Sequence, residues 1–134
     1  MHICFITNEY PMKGVNGGGI GSLVQFLSRM LVKKDIKVSV IGISKEFTNK
    51  NTFDQGVQIY RLAKSKWKIG KFYDHTIRIL SKINELDKEE PLDIVEGSEL
   101  NFAFFPRITS YKKIIRLHGG HHFFANELDK KPAI

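Results

Sequence analysis

Hydrophobic and polar positions alternate along this chain in two different periods, and their succession predicts its architecture. Residues 2–7 form a short apolar run closed by polar Thr7, Asn8 and Glu9, the pattern of a buried strand. A glycine-rich loop over 8–19 follows. Ile20, Leu23, Val24, Leu27 and Leu31 then recur at helical spacing, with Ser22, Gln25 and Arg29 on the opposite side. Residues 36–43 read as a second strand, 44–55 as a polar loop and 57–62 as a third strand. Phe72, Thr76, Leu80, Ile83 and Leu86 mark a second helix that Pro91 stops. A fourth strand covers 92–95, a short helix capped by Ser98 covers 98–105, and a fifth strand covers 113–117. Strands alternating with helices predict an α/β fold: a Rossmann-like parallel sheet of about five strands, with right-handed crossovers and helices on both faces. In such sheets ligands bind beyond the carboxyl ends of the strands, where strand order reverses. Three places qualify: the loop after Thr7, the turn over 96–98, and the loop after Leu117.

The 134 residues suit one domain, and 42% hydrophobic with 26% charged residues is ordinary for a globular protein. No apolar run approaches the ~20 residues of a membrane span, and the first is too short for a secretory signal, so a cytoplasmic protein is expected. The single cysteine, Cys4, lies inside the first apolar run and reads as a small buried hydrophobe. Net charge is +7, and most of it is local: between Arg61 and Lys82 seven basic residues face one acid, Asp74, for +6. Lys71, His75, Arg78 and Lys82 share one face of the second helix. That face is either simply solvated or docks peripherally on an anionic membrane surface, with Lys71, Arg78 and Lys82 as the contact patch.

Gly17-Gly18-Gly19-Ile20-Gly21 opens the first helix, where unpaired N–H groups and the helix dipole favour an anion. A dinucleotide fingerprint is not supported. Val24 stands where its third glycine belongs, the loop is too long, and the second strand ends in Ile41-Gly42-Ile43 without an acid for a ribose. No Gly-Lys-Ser/Thr of an NTPase loop is present either. Cys4 sits in a strand interior and no serine occupies a nucleophile elbow, so a Cys-His or Ser-His-Asp hydrolase is not supported. His118, His121 and His122 lie in His-x-x-His-His, which lacks the spacing of an established zinc motif; no metal is expected. His2 and His75 read as surface residues.

Asn8-Glu9-Tyr10-Pro11, the glycine run, and Val38-Ser39-Val40-Ile41, followed by Asp93-Ile94-Val95-Glu96-Gly97 and Ile115-Arg116-Leu117-His118-Gly119, together resemble the family 4 glycosyltransferases. Where that family usually places Gly-His before the second strand, this chain has Asp35-Ile36. The resemblance implies a retaining transferase of GT-B architecture, with residues 1–134 as a single N-terminal domain truncated at its C-terminal side. A second domain would carry most nucleotide contacts, so this chain alone would be inactive. It further implies a UDP- or GDP-sugar donor, a glycan or lipid-linked acceptor and no metal. Gly17, Gly18 and Gly19 would approach the donor phosphates, and His118 would be the catalytic contact to the transferred sugar. Glu96 and Glu99 would orient acceptor or sugar. The alternative is a non-catalytic α/β module with a basic surface for membrane or nucleic acid, although no nucleic-acid-binding motif appears. A strand at 113–117 at the sheet's edge would also favour homodimerisation.

Overall fold

The computed structural model describes residues 1–13 and 17–117. They form an α/β domain with a six-stranded mixed sheet between two helices. In chain order the elements are β1 (His2–Ile6), α1 (Gly19–Val32), β2 (Lys37–Ile43), β3 (Lys50–Asp54), β4 (Val57–Leu62), α2 (Lys71–Glu89), β5 (Ile94–Gly97), a 3-10 turn (Glu99–Phe102) and β6 (Lys112–Ile115). The sheet runs β3-β4-β2-β1-β5-β6, and every neighbouring pair is parallel except β3 with β4.

Each strand's alternation sorts its side chains onto one helix or the other. Ile3, Phe5, Val38, Val40, Val57 and Ile59 pack with Val24 on the α1 face. Cys4, Ile6, Ile41, Ile43, Leu62 and Val95 pack with Ile79, Ile83 and Leu86 on the α2 face. Burying one such side chain fully contributes about 1.5–3 kcal/mol. α1 ends at Val32, and Asp35 adopts φ 60°, the left-handed turn that lets the Ile36 N–H bond to Leu31 O at 3.1 Å. Aspartate tolerates that conformation better than most residues.

Several expectations change. The polar stretch 44–55 contains a strand, β3, which makes the sheet six-stranded and mixed. Its hairpin closes on Gln55 (φ 49°) and Gly56 (φ 88°), a two-residue turn with both central residues left-handed. Phe53, its one large apolar residue, is 74% exposed, so no hydrophobic alternation announces the strand. The helix expected over 98–105 is a single 3-10 turn, and the last strand spans 112–115 rather than 113–117. His2 is buried, not on the surface: its Nε2 lies 2.8 Å from Ser39 Oγ and its Nδ1 3.2 Å from Glu90 O. Burial holds its imidazole below the usual histidine range.

β3 also anchors the loop after β1. Asp54 accepts from buried Tyr10 Oη at 2.6 Å and from Arg29 Nε and Nη2 at 2.9 and 2.8 Å, fixing loop, helix and hairpin at one carboxylate. The Arg29 bonds, then the Tyr10 bond, hold the Asp54 carboxyl below its ordinary range. Asp54→Ala is expected to cost about 2 kcal/mol, between the values for exposed and fully buried pairs. Because the folded carboxyl titrates lower than the unfolded one, its contribution is present above the unfolded value of 3.8 and fades as pH falls below it. Urea denaturation at neutral pH should separate variant from wild type, and the gap should narrow below pH ~3.8. A gap independent of pH would rule out this account.

Candidate functional site

From β1 the chain moves to one side of the sheet, through β2 and β4, and later returns to the other side as β5. Strand order therefore reverses between β1 and β5, and the connections leaving their carboxyl ends diverge. A cavity of about 200 Å³ opens at that point.

Its near wall is the loop Thr7-Asn8-Glu9, held by two close approaches. A β-carbon on Gly42 of β2 would overlap the Thr7 carbonyl oxygen, and one on Gly21 of α1 would overlap the Glu9 carbonyl. Only glycine lets strand and helix close on the loop from both sides. Hydrogen bonds fix its orientation. Asn8 Oδ1 accepts from the Ile43 N–H at 2.7 Å, and Asn8 O accepts from Arg61 Nη1 at 2.8 Å. Ile20 and Val24 of α1 extend this wall.

The far wall comes from β5, the turn after it and the end of β6: Glu96, Gly97, Ser98, Asn101 and Arg116. Asn101 Oδ1 accepts from the Ser98 N–H at 2.7 Å and from Ser98 Oγ at 3.0 Å, which locks the turn. Arg116 Nε donates to Glu96 Oε1, while the Arg116 N–H bonds to Gly97 O at 2.9 Å. The Glu96 carboxylate also raises the Arg116 pKa. Glu96 is 9% exposed, so the cavity contains a nearly buried carboxylate whose partner remains partly solvated. Glu9 and Glu96, Arg116, the hydroxyl residues Thr7 and Ser98, and the amides Asn8 and Asn101 around one small space form a set suited to a polyhydroxylated ligand.

Of the residues expected at the site, Glu96 lines the cavity and Glu99 stands exposed on the neighbouring 3-10 turn, outside it. Gly17, Gly18 and Gly19 adjoin the cavity through Glu9 without lining it. A β-carbon on Gly18 would come within 2.6 Å of Glu9 Oε2, so the Glu9 carboxylate lies against the start of α1. Gly18 is the N-cap and supplies no side-chain bond. The Ser22 N–H is bonded back to Gly18 O at 3.0 Å, and the amides before it have no partner within the helix. His118, His121 and His122 lie outside the described residues, as does the segment 14–16.

The basic face of α2 is less free than its spacing suggested. Lys71 is exposed. Arg78, however, donates to Ala63 O at 2.9 Å and pairs with Asp74 at 3.1 Å. Lys82 lies 4.4 Å over the Tyr60 ring and pairs with Glu85 at 3.1 Å. Two of the three cations thus turn onto the protein. His75 is half-buried, and its Nε2 accepts from the Ser65 N–H at 2.9 Å. Among the described residues no helix is long and apolar enough to cross a membrane, and no group of three or more His, Cys, Asp or Glu is placed to hold a metal ion.

Sequence reasoning missed Arg116, Asn8, Ser98 and Asn101 as site residues. Glu96, which the sequence singled out, shares one face of β5 with Ile94, and its pairing with Arg116 is visible only in the fold. No protein-family model matches the chain, and no curated protein matches it.

Proposed function

We propose that this chain binds a nucleotide-sugar and serves retaining glycosyl transfer to a glycan or lipid-linked acceptor, as the Rossmann-like first domain of a GT-B enzyme. The observation that carries this reading is the cavity at the strand-order reversal, where the Glu96–Arg116 pair faces the glycine-opened start of α1. Glu96 accepts hydrogen bonds from sugar hydroxyls, and the remaining Arg116 donors complete the recognition. The unpartnered amides at the start of α1 receive the donor phosphates, aided by the helix dipole. The Glu9 carboxylate occupies that neighbourhood in the free protein and moves aside on binding. Transfer itself requires the second domain of such an enzyme.

Titrating the isotope-labelled protein with millimolar UDP- or GDP-sugar should move the amide resonances of Gly19, Ile20, Gly21 and Ser98 together. Glu96→Gln should weaken binding about tenfold, the loss of one charged hydrogen bond, and Glu9→Ala should strengthen it by relieving repulsion. Shifts confined to other parts of the chain, or a Glu96→Gln protein that binds as wild type does, would refute the reading.

A further inference from the structure

Beside the cavity between β1 and β5 lies a second one, of about 250 Å³, at the carboxyl ends of β2 and β4. Asn8 lines both, so the two spaces are neighbours across one residue. Their chemistry differs. The second cavity is lined by Ser44, Lys45, Arg61, Lys64 and His75, with three permanent cations and no carboxylate.

Arg61 is the informative member. Val57, Ile59 and Arg61 alternate onto the same face of β4, so the guanidinium stands where a core residue would, and only 4% of the residue is exposed. Burial lowers its pKa without discharging it, since arginine stays protonated in proteins. A buried cation is costly unless an anion answers it. Among the described residues no carboxylate lies within ion-pair distance of Arg61, Lys45 or Lys64. The nearest acids in sequence are committed elsewhere, Glu46 to Lys50 at 2.8 Å, Asp54 to Arg29 at 2.8 Å and Asp74 to Arg78 at 3.1 Å. One Arg61 nitrogen donates to Asn8 O. Ser44 Oγ accepts from the Glu46 N–H at 3.0 Å, which leaves its own O–H free to donate.

We infer that this cavity binds the phosphate group of a phosphate monoester, with Arg61 as the buried anchor, Lys45 and Lys64 as outer clamps and Ser44 as a neutral donor. A doubly charged, multi-oxygen group matches three cationic residues and a hydroxyl lining one cavity, with the Lys64 ammonium swinging in from over the Phe47 ring, better than a single carboxylate does. The organic part of the ester then extends past Asn8 toward the Glu96–Arg116 cavity. The phosphate site does not depend on the sugar-transfer reading. If both hold, the acceptor is a phosphorylated one.

The test uses inorganic phosphate, a hexose 6-phosphate and the unphosphorylated hexose as separate titrants of the isotope-labelled chain, at constant ionic strength with chloride as background. Phosphate should shift the amides of Ser44, Lys45 and Lys64 and the His75 ring. The hexose phosphate should shift these and Ser98 as well. Lys45→Gln and Lys64→Gln should each weaken phosphate binding several-fold, and Arg61→Gln should abolish it, whereas Lys112→Gln at the far edge of the sheet should change nothing. Should Arg61→Gln fail to fold, the two lysine variants still decide. Phosphate shifts absent at Ser44 and Lys64, or equal in the Lys112→Gln and Lys64→Gln proteins, overturn the proposal. A hexose phosphate that shifts only the basic cavity leaves the phosphate site standing and counts against the sugar cavity alone.

Discussion

Gly21→Ala should destabilise the protein by about 3 kcal/mol, at the upper end for overpacking. In an exposed helix the same change would stabilise by up to about 1 kcal/mol, because alanine is the better helix former. The sign reverses here because the new methyl would occupy the position of the Glu9 carbonyl oxygen, which is rigid backbone rather than a flexible side-chain end. Either α1 must back away from the sheet, opening the packing of Val24 on Phe5, or the Thr7–Glu9 loop must shift and strain the Asn8 Oδ1 bond to Ile43. Gly19→Ala is the natural control. It lies two residues earlier in the same helix, and a β-carbon there meets nothing within 4 Å. It should fold with wild-type stability or slightly more. The pair also separates structure from ligand approach. If nucleotide-sugar phosphates come up against the start of α1, Gly19→Ala should weaken binding while leaving the denaturation midpoint unchanged. Urea titrations of the two variants that coincide would disprove the steric account.

That contrast shows how much of the molecule the sequence discloses. The glycine run was legible as a special loop, but its individual duties were not. Gly21 is needed for packing against Glu9, a contact between residues twelve apart whose distance depends on how a helix crosses a strand. The elements with strong apolar periods, β1, α1, β2, β4 and α2, were readable because burial on a defined face forces the period. β3 was not, because an antiparallel strand at the sheet's edge with an exposed Phe53 buries too little to carry a period. It is specified instead by its turn, where Gln55-Gly56 lacks the Asn or Asp that usually announces such a hairpin. The rule that ligands sit at strand carboxyl ends pointed to the region where the cavity opens, and Glu96 lines that cavity. Arg116 and Arg61 were not legible, because charges near strand ends usually face water. For Arg61 the phase was the clue: it follows buried Val57 and Ile59 on the inward side of β4. A charge standing in phase with a strand's buried residues either pairs or waits for a partner. Glu96 has Arg116, whereas Arg61 has only a carbonyl among the described residues.

Alkaline pH should unfold this protein over a narrow range, and the cause lies in the core of the sheet. Burial pushes the Cys4 thiol up to about 12 from 9.0 and the Tyr111 phenol up to about 12 from 10.0. Buried Tyr10 is also raised, by burial first and then by its bond to the Asp54 carboxylate. Each group is an acid whose neutral form the fold prefers. Its contribution is therefore complete below the unfolded pKa and is lost as pH rises toward the folded one. Each titrating group removes up to about 1.4 kcal/mol per pH unit. At pH 11, Cys4 has crossed about two units and each tyrosine about one, for a combined loss of about 5 kcal/mol, comparable with the whole stability of a small domain. The same reasoning keeps Cys4 from acting as a nucleophile near neutral pH, since its thiol stays protonated and has no exposed surface. Tyr111→Phe is the cleaner probe, because the Tyr111 hydroxyl makes no hydrogen bond among the described residues and its loss should be nearly neutral at pH 7. By pH 11 the variant should be more stable than wild type by about 1 kcal/mol, and Cys4→Ala combined with it should flatten the profile further. Urea midpoints that run parallel for all three proteins from pH 8 to pH 11 would show that something other than these buried acids governs the alkaline limit.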